Sequence, residues 1–273
     1  MPISRDCNKA VILARGLGTR MRRPESGIAL SPEQSAVAET GLKAMIPIGR
    51  PFLDYVLSGL ADAGYQEICL VIGPEHRTVR EYYAALALQR FRLSFAIQTE
   101  PRGTADAVLS ALEFVNDDDF VVMNSDNFYP VSILTSLRTM GQAGTVLFDE
   151  PALIRNSNIP ADRIRSYAYG KTDSENFLID LVEKPDPNRA RQLSGSSLIS
   201  MNCWRLDARI FEFCRNVRLS PRGEYELPNA IRDAVHAGMR LKVVRSEEGV
   251  LDLSHRSDIA AVSERLKNVS VSL

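Results

Sequence analysis

The segment Leu13-Ala14-Arg15-Gly16-Leu17-Gly18-Thr19-Arg20 sets two glycines one residue apart behind the apolar run 9–14. Such a pair lets the backbone approach a ligand closely, and its N–H groups can converge on phosphate oxygens. Arg20 adds a planar, forked cation suited to the same oxygens. No Gly-Lys-Ser or Gly-Lys-Thr follows, so this is not a Walker A loop. The third glycine of a dinucleotide fingerprint is also missing, and position 21 is Met. Taken alone, the loop is better read as a tight turn at a strand exit. Other residues of chemical interest punctuate the chain. Lys43 precedes Met45-Ile46-Pro47-Ile48, Gln98 follows an apolar run, and Gly103-Thr104 opens a helical pattern. Asp126 closes the buried run 120–123, Glu183-Lys184 stops at Pro185, and Asp252 follows Val250-Leu251. An unpaired buried carboxylate is costly, but at a strand's carboxyl end it can face a cleft and bind Mg²⁺, which takes one or two carboxylates plus phosphate oxygens.

Strand-like runs at 9–14, 67–72, 93–97 and 120–123 alternate with helical patterns at 51–64, 76–90 and 104–114. That alternation predicts an α/β fold, a mostly parallel sheet covered by helices on both faces. Four strand-to-loop junctions then fall on one sheet edge, where open α/β sheets bind ligands. Residues 150–165, polar and rich in Pro and Asn, are expected to form a loop or excursion. Strands are expected at 177–183 and 197–204, and helices at 225–237 and 255–267.

The chain has 273 residues, 45% hydrophobic and 25% charged, and its 33 Lys and Arg nearly cancel 34 Asp and Glu. No bulk charge recruits nucleic acid or membrane. Cys7, Cys69, Cys203 and Cys214 form no CxxC pair, there is no signal-like stretch, and no apolar run approaches the ~20 residues of a membrane helix. A cytoplasmic protein with reduced thiols is expected. His76, His236 and His255 lack metal-ligand spacing.

In order, LARGLGTR (13–20), KAMIPI (43–48), Gln98 with RGTADAV (102–108), Ser125-Asp126-Asn127, Glu183-Lys184-Pro185, SPRGEYELPNAI (220–231) and Leu251-Asp252-Leu253 make a pattern. It resembles the sugar-1-phosphate nucleotidyltransferases, or nucleotide-sugar pyrophosphorylases, over nearly the whole chain, including short bacterial thymidylyl-, uridylyl- and adenylyltransferases. The resemblance implies a single domain over 1–273 with a Rossmann-like, three-layer α/β/α (GT-A-like) fold and a mixed, mainly parallel central sheet. Its nucleotide-binding part covers about 1–150 and its sugar-phosphate part about 151–273. It further implies transfer of a nucleotidyl group from a nucleoside triphosphate to a sugar 1-phosphate, with release of pyrophosphate under Mg²⁺. Homo-oligomers are frequent in the family.

Such chemistry brings together two mutually repelling polyanions and holds them in line, so cations and a metal are its essential parts. On this reading Arg20 holds the β- and γ-phosphates, Lys43 aims a second charge at the triphosphate, and Lys184 neutralises the sugar phosphate. Asp126 and Asp252 hold the metal. Leu13, Ala14, Arg15, Gly16, Gly18 and Thr19 cradle the nucleotide, and Gln98, Gly103 and Thr104 read the base. Glu183 accepts sugar hydroxyls, and Tyr169-Gly170 lies where the family places a backbone contact to the sugar. Plainer alternatives remain at each point: a solvated lysine at 43, caps or turns at Asp126 and Asp252, a helix start at 103–104, and a strand-end charge pair at 183–184.

The chain departs from the family pattern in several places. The stretch between Arg20 and Lys43 is long and polar, expected to form a lid, an oligomer contact or a disordered loop. Ser-Met-Asn-Cys-Trp at 200–204 replaces a glycine-containing sugar-pocket segment, and Leu251-Asp252-Leu253-Ser254 lacks the usual Trp and Gly. Because the changes gather on the sugar side, a non-glucose sugar phosphate or a sugar-like cyclitol phosphate is a serious acceptor, and the nucleobase stays open. Two other functions compete: a GT-A-type glycosyltransferase, for which Asp117-Asp118-Asp119 offers an acidic cluster, and a non-catalytic nucleotide or sugar-phosphate sensor of the same fold.

Overall fold

Alternate residues of the central strands enter two separate apolar layers. Ala10, Ile12, Leu70 and Met123 join one, while Val11, Leu13, Val71 and Val122 join the other. The strands β1, β2 and β4 are therefore buried on both faces, as their unbroken Val/Ile/Leu runs require. The structure is a computed structural model describing residues 6–193, 195 and 197–273. Its strands are β1 (Lys9–Leu13), β2 (Glu67–Ile72), β3 (Arg92–Ile97), β4 (Phe120–Asn124), β5 (Asn127–Phe128), β6 (Gly144–Phe148), β7 (Ala168–Thr172), β8 (Leu178–Val182), β9 (Leu198–Leu206), β10 (Lys242–Ser246) and β11 (Leu251–Asp252).

The sheet path β10-β6-β9-β4-β1-β2-β3 is mixed. β4, β1, β2 and β3 run parallel, while β9 lies antiparallel between β4 and β6. One apolar layer receives the helices Phe52–Asp62, Val131–Thr139 and Asp258–Leu266; the other receives Thr104–Ser110, Ile210–Asn216 and Leu227–His236. This is the expected three-layer α/β/α arrangement. The carboxyl ends of the four parallel strands share one edge, and β11 pairs with β5 just beyond it.

Two expected loops contain helices. In 150–165 the helices Glu150–Asn156 and Ala161–Ile164 form, because Asp149 accepts a hydrogen bond from Ala152 N at 2.8 Å and Pro151 suits a first turn. The prolines read as loop punctuation are helix starts. In 21–42 the helix Pro32–Thr40 begins with a capping box: Gln34 N donates to Ser31 Oγ at 3.1 Å and Ser31 N to Gln34 Oε1 at 3.2 Å. The last helix starts later than expected, at Asp258, whose carboxylate accepts from the N–H groups of Ser254 and His255. Strands β6, β7 and β10 carry no clear period-2 signal and were not expected. All four cysteines are free and buried. Among the described residues no helix is long and apolar enough to cross a membrane.

Candidate active site

The exit of β1 fixes the glycine loop. Ala14 N donates to Val71 O at 2.8 Å, and Gly18 then turns left-handed (φ 59) to start the helix Thr19–Arg22. Gly18 packs directly on Gly41, itself left-handed (φ 80) at the end of the helix Pro32–Thr40, so a Cβ on Gly18 would strike the Gly41 carbonyl. Gly16 has open space around it. The polar 21–42 stretch thus closes the glycine loop from outside, helped by Arg22 Nη2 donating to Thr40 O at 2.6 Å. The far end of the loop is held from the C-terminal segment. Arg256 Nε donates to Met21 O at 2.8 Å and its Nη2 to Arg22 O at 3.2 Å, while Arg256 N donates to Glu25 at 3.1 Å.

Above this loop lies a cleft of about 440 Å³ along the carboxyl edge of the parallel strands. It is lined by Leu13, Ala14, Arg15, Gly16, Gly18, Thr19, Arg20, Lys43, Gln98, Gly103, Thr104, Asp126, Glu183, Lys184 and Asp252, residues far apart in sequence. Arg20 is exposed and its guanidinium makes no hydrogen bond or ion pair among the described residues. Arg15 is held by Glu75 at 3.3 Å, but its Nη1 is buried without a partner. The short helix Lys43–Met45 aims Lys43 at Asp126, and the two form an ion pair. Burial pushes the Asp126 carboxyl up, but Lys43 and, further off, Arg20 outweigh it and hold it below its ordinary value.

Asp252 faces Asn127 across the β11/β5 pair, and Leu253 N donates to Asp126 O at 2.9 Å, so Asp126, in the turn between β4 and β5, lies beside β11. Asn127 Nδ2 donates to Asp252 Oδ2 at 3.0 Å, whereas Asp252 Oδ1 makes no hydrogen bond among the described residues, with Arg163 Nη2 3.3 Å away. Burial and then the Asp126 charge push the Asp252 carboxyl up to about 6 against the pull of Arg163. Two repelling carboxylates with an orphaned oxygen fit a divalent cation that completes its shell with phosphate oxygens and water. Among the described residues no group of three or more His, Cys, Asp or Glu offers a fuller cage.

At the exit of β3, Gln98 is buried and spends its Nε2 on Gly103 O (3.0 Å) and Asp106 Oδ2 (2.8 Å), and its Oε1 accepts no hydrogen bond among the described residues. Gly103 is left-handed (φ 120) against the backbone of Tyr225, and Thr104 Oγ1 accepts from Leu227 N at 2.8 Å, so the Thr104 hydroxyl is committed to starting another helix. On the other side Lys184 lies 3.1 Å from Glu183 and 3.4 Å from Glu226, and Arg222 reaches the same Glu226 oxygen at 3.3 Å. Burial pushes the Glu183 carboxyl up against the pull of Lys184. Tyr169 and Gly170 do not line the cleft. The Tyr169 hydroxyl points to Glu150 at 3.3 Å, Gly170 backs onto Leu147, and Tyr167 and Ala168 face the cleft instead. Asp118 and Asp119 lie at the opposite sheet edge, paired with Lys9 and Arg205 at 2.7 Å each, which removes the acidic cluster from the cleft.

A family model for nucleotidyl transferases matches residues 9–268. The chain belongs to the nucleotidyl transferase family. It is 24% identical over 260 residues to the UTP–glucose-1-phosphate uridylyltransferase AglF of Haloferax volcanii, covering 95% of this chain and 96% of that one. It is 27% identical over 229 residues to the bifunctional protein GlmU of Methanococcus vannielii, matching 84% of this chain but only 48% of GlmU, so it spans about half the length of such relatives. Among solved structures, a UDP-glucose pyrophosphorylase complexed with UDP-glucose superposes with a TM-score of 0.74 at 18% identity, covering 97% of this chain and 100% of that one.

Several cleft residues were not singled out individually as site members. Tyr167, Asn202, Arg222 and Glu226 all line it. Arg222 and Glu226 lie inside the motif at 220–231. Asn202 lies in the departing segment 200–204, and both it and Tyr167 reach the cleft through the way the sheet divides around β9.

Proposed function

We propose that the protein transfers the nucleotidyl group of a nucleoside triphosphate to the phosphate oxygen of a sugar 1-phosphate or sugar-like cyclitol phosphate, releasing pyrophosphate. The observation that carries this reading is the convergence of Arg20, Lys43 and Lys184 with the Asp126 and Asp252 carboxylates around one cleft. The nucleotide-binding part is assigned to residues up to about 150 and the acceptor part to the rest of one domain.

On this reading an acceptor phosphate oxygen attacks the α-phosphorus in line with departing pyrophosphate. Lys184 neutralises the acceptor, Arg20 binds the β- and γ-phosphates and takes up charge on the leaving group, and the glycine loop supplies N–H groups. Gln98 Oε1 accepts from the base edge. No protein base is required, since a phosphate monoester is mostly ionised near neutral pH. Asp126 and Asp252 would hold Mg²⁺, which supplies charge neutralisation at the phosphate oxygens when bound. A second cavity of about 740 Å³ shares Glu183, Lys184, Arg222 and Glu226 with the cleft and gives room on the acceptor side.

The test is a screen of four triphosphates against a panel of sugar and cyclitol phosphates, read by pyrophosphate release. The names of the relatives make UTP with glucose 1-phosphate the first pair to try. Release with at least one pair is expected. Turnover only when a nucleotide-sugar donor is supplied would overturn the reading in favour of glycosyl transfer.

A further inference from the structure

β9 is divided along its length. On one edge β4 pairs with it at Trp204–Leu206 and β7 at Leu198–Ser200, so the strand forks away from its neighbours between them. On the other edge the register with β6 moves from Thr145 opposite Trp204 to Leu147 opposite Ser200, so Met201, Asn202 and Cys203 share the span of Val146 alone. Such a bulge re-aims a side chain. Asn202 sits at its centre in the left-handed region (φ 59), a conformation that Asn tolerates better than most residues.

The bulge is held from behind. Tyr129 donates its hydroxyl to Met201 O at 2.5 Å, Thr145 Oγ1 donates to Cys203 O at 2.8 Å, and Asn202 N donates to Ser200 Oγ at 3.3 Å. The carbonyls on either side of Asn202 are thus satisfied, while its side chain is not. Asn202 Oδ1 is shut off from water without a partner, and the amide makes no hydrogen bond among the described residues. The residue nonetheless lines the cleft, together with Glu183, Lys184 and Tyr167. A strained backbone position anchored by three other side chains, presenting an unpaired amide, has the form of a recognition point.

We infer that Asn202 sets acceptor choice by hydrogen-bonding a ring hydroxyl of a polyhydroxylated ring phosphate, a sugar or cyclitol phosphate. The inference rests on the nucleotidyl-transfer reading of the cleft. A ligand with no hydroxyl at that point leaves the amide unpaired in a closed site, which is how such groups discriminate.

The test is a cycle between enzyme and acceptor. The best acceptor and its monodeoxy analogues are compared in the wild-type protein and in Asn202→Gly, the substitution that the left-handed backbone accepts most readily. In the wild type one analogue should lose about tenfold in kcat/KM, the loss of one hydrogen bond; in Asn202→Gly that same loss should vanish while the KM for triphosphate stays unchanged. Asn202→Asp keeps the shape but exchanges amide donors for a carboxylate, and should reorder the panel in favour of an amino-substituted ring phosphate. Unchanged penalties in Asn202→Gly and unchanged ranking in Asn202→Asp would overturn this assignment alone. A wild-type protein that releases pyrophosphate with no pair would overturn the nucleotidyl-transfer reading, and this inference with it.

Discussion

Lys43 and Asp126 pair across the floor of the cleft, an ammonium and a carboxylate from a short helix and a strand end that are 83 positions apart. The pair keeps Asp126 ionised in a place where burial alone would favour its neutral form. Its neighbour Asp252 has no such ammonium and is pushed the other way.

Asp126→Asn is therefore expected to retain the fold, since the amide is of the same shape, but to raise the Mg²⁺ concentration for half-maximal pyrophosphate release by about tenfold or more. A Mg²⁺ titration checks this, and an unchanged midpoint would remove Asp126 from the metal site. Chelation of divalent ions should abolish turnover in the wild type.

Arg20→Ala should lower kcat by about 10²- to 10³-fold, the usual effect of deleting one charge-stabilising donor. Because Arg20 is exposed and unpaired, its melting temperature should match the wild type. Pyrophosphate release and a thermal melt on the same sample separate the two effects.

The two loop glycines should behave differently. Gly16→Ala meets open space and should change stability by no more than about 0.5 kcal/mol. Gly18→Ala adds a Cβ at positive φ against the Gly41 backbone and should cost on the order of 1–3 kcal/mol, with a raised KM for triphosphate. Urea denaturation of both variants is the measurement, and equal stabilities would contradict the packing of Gly18 on Gly41.

Glu183 gives a pH prediction. Burial raises its carboxyl above the ordinary value, so the native state holds that proton over a range where the unfolded chain has lost it. Its contribution to stability is greatest at low pH and falls as pH rises from the ordinary carboxylate range through the raised value. Glu183→Gln removes this slope, so its stability relative to wild type should improve between pH 4 and pH 7. A relative stability that worsens over that interval would contradict the direction of the shift.

Much of the glycine-loop wall of the cleft could be read in advance because its signals are local. Gly16, Gly18, Arg20 and the run 120–123 each announce a strand exit or a turn within a few residues, and the resemblance put them in order. The helix Pro32–Thr40 was equally readable, since Ser31 and Gln34 have the spacing of a capping box, but the surrounding polarity masked it. The acceptor side depends on distant pairing. Tyr167 and Tyr169 share strand parity, so which of them reaches the cleft depends on where β7 begins along the ladder with β9, with Tyr167 just outside that strand. Asn202 is aimed by a bulge whose existence requires three strands at once, and no local pattern encodes it.

The grip of Arg256 on Met21 joins groups 235 positions apart in the chain. During synthesis the glycine loop leaves the ribosome well before the residue that clasps its outer end, which follows 235 positions later. The nascent polypeptide can pair β1 with its neighbours before then, but it cannot finish this corner of the molecule until Arg256 has been translated.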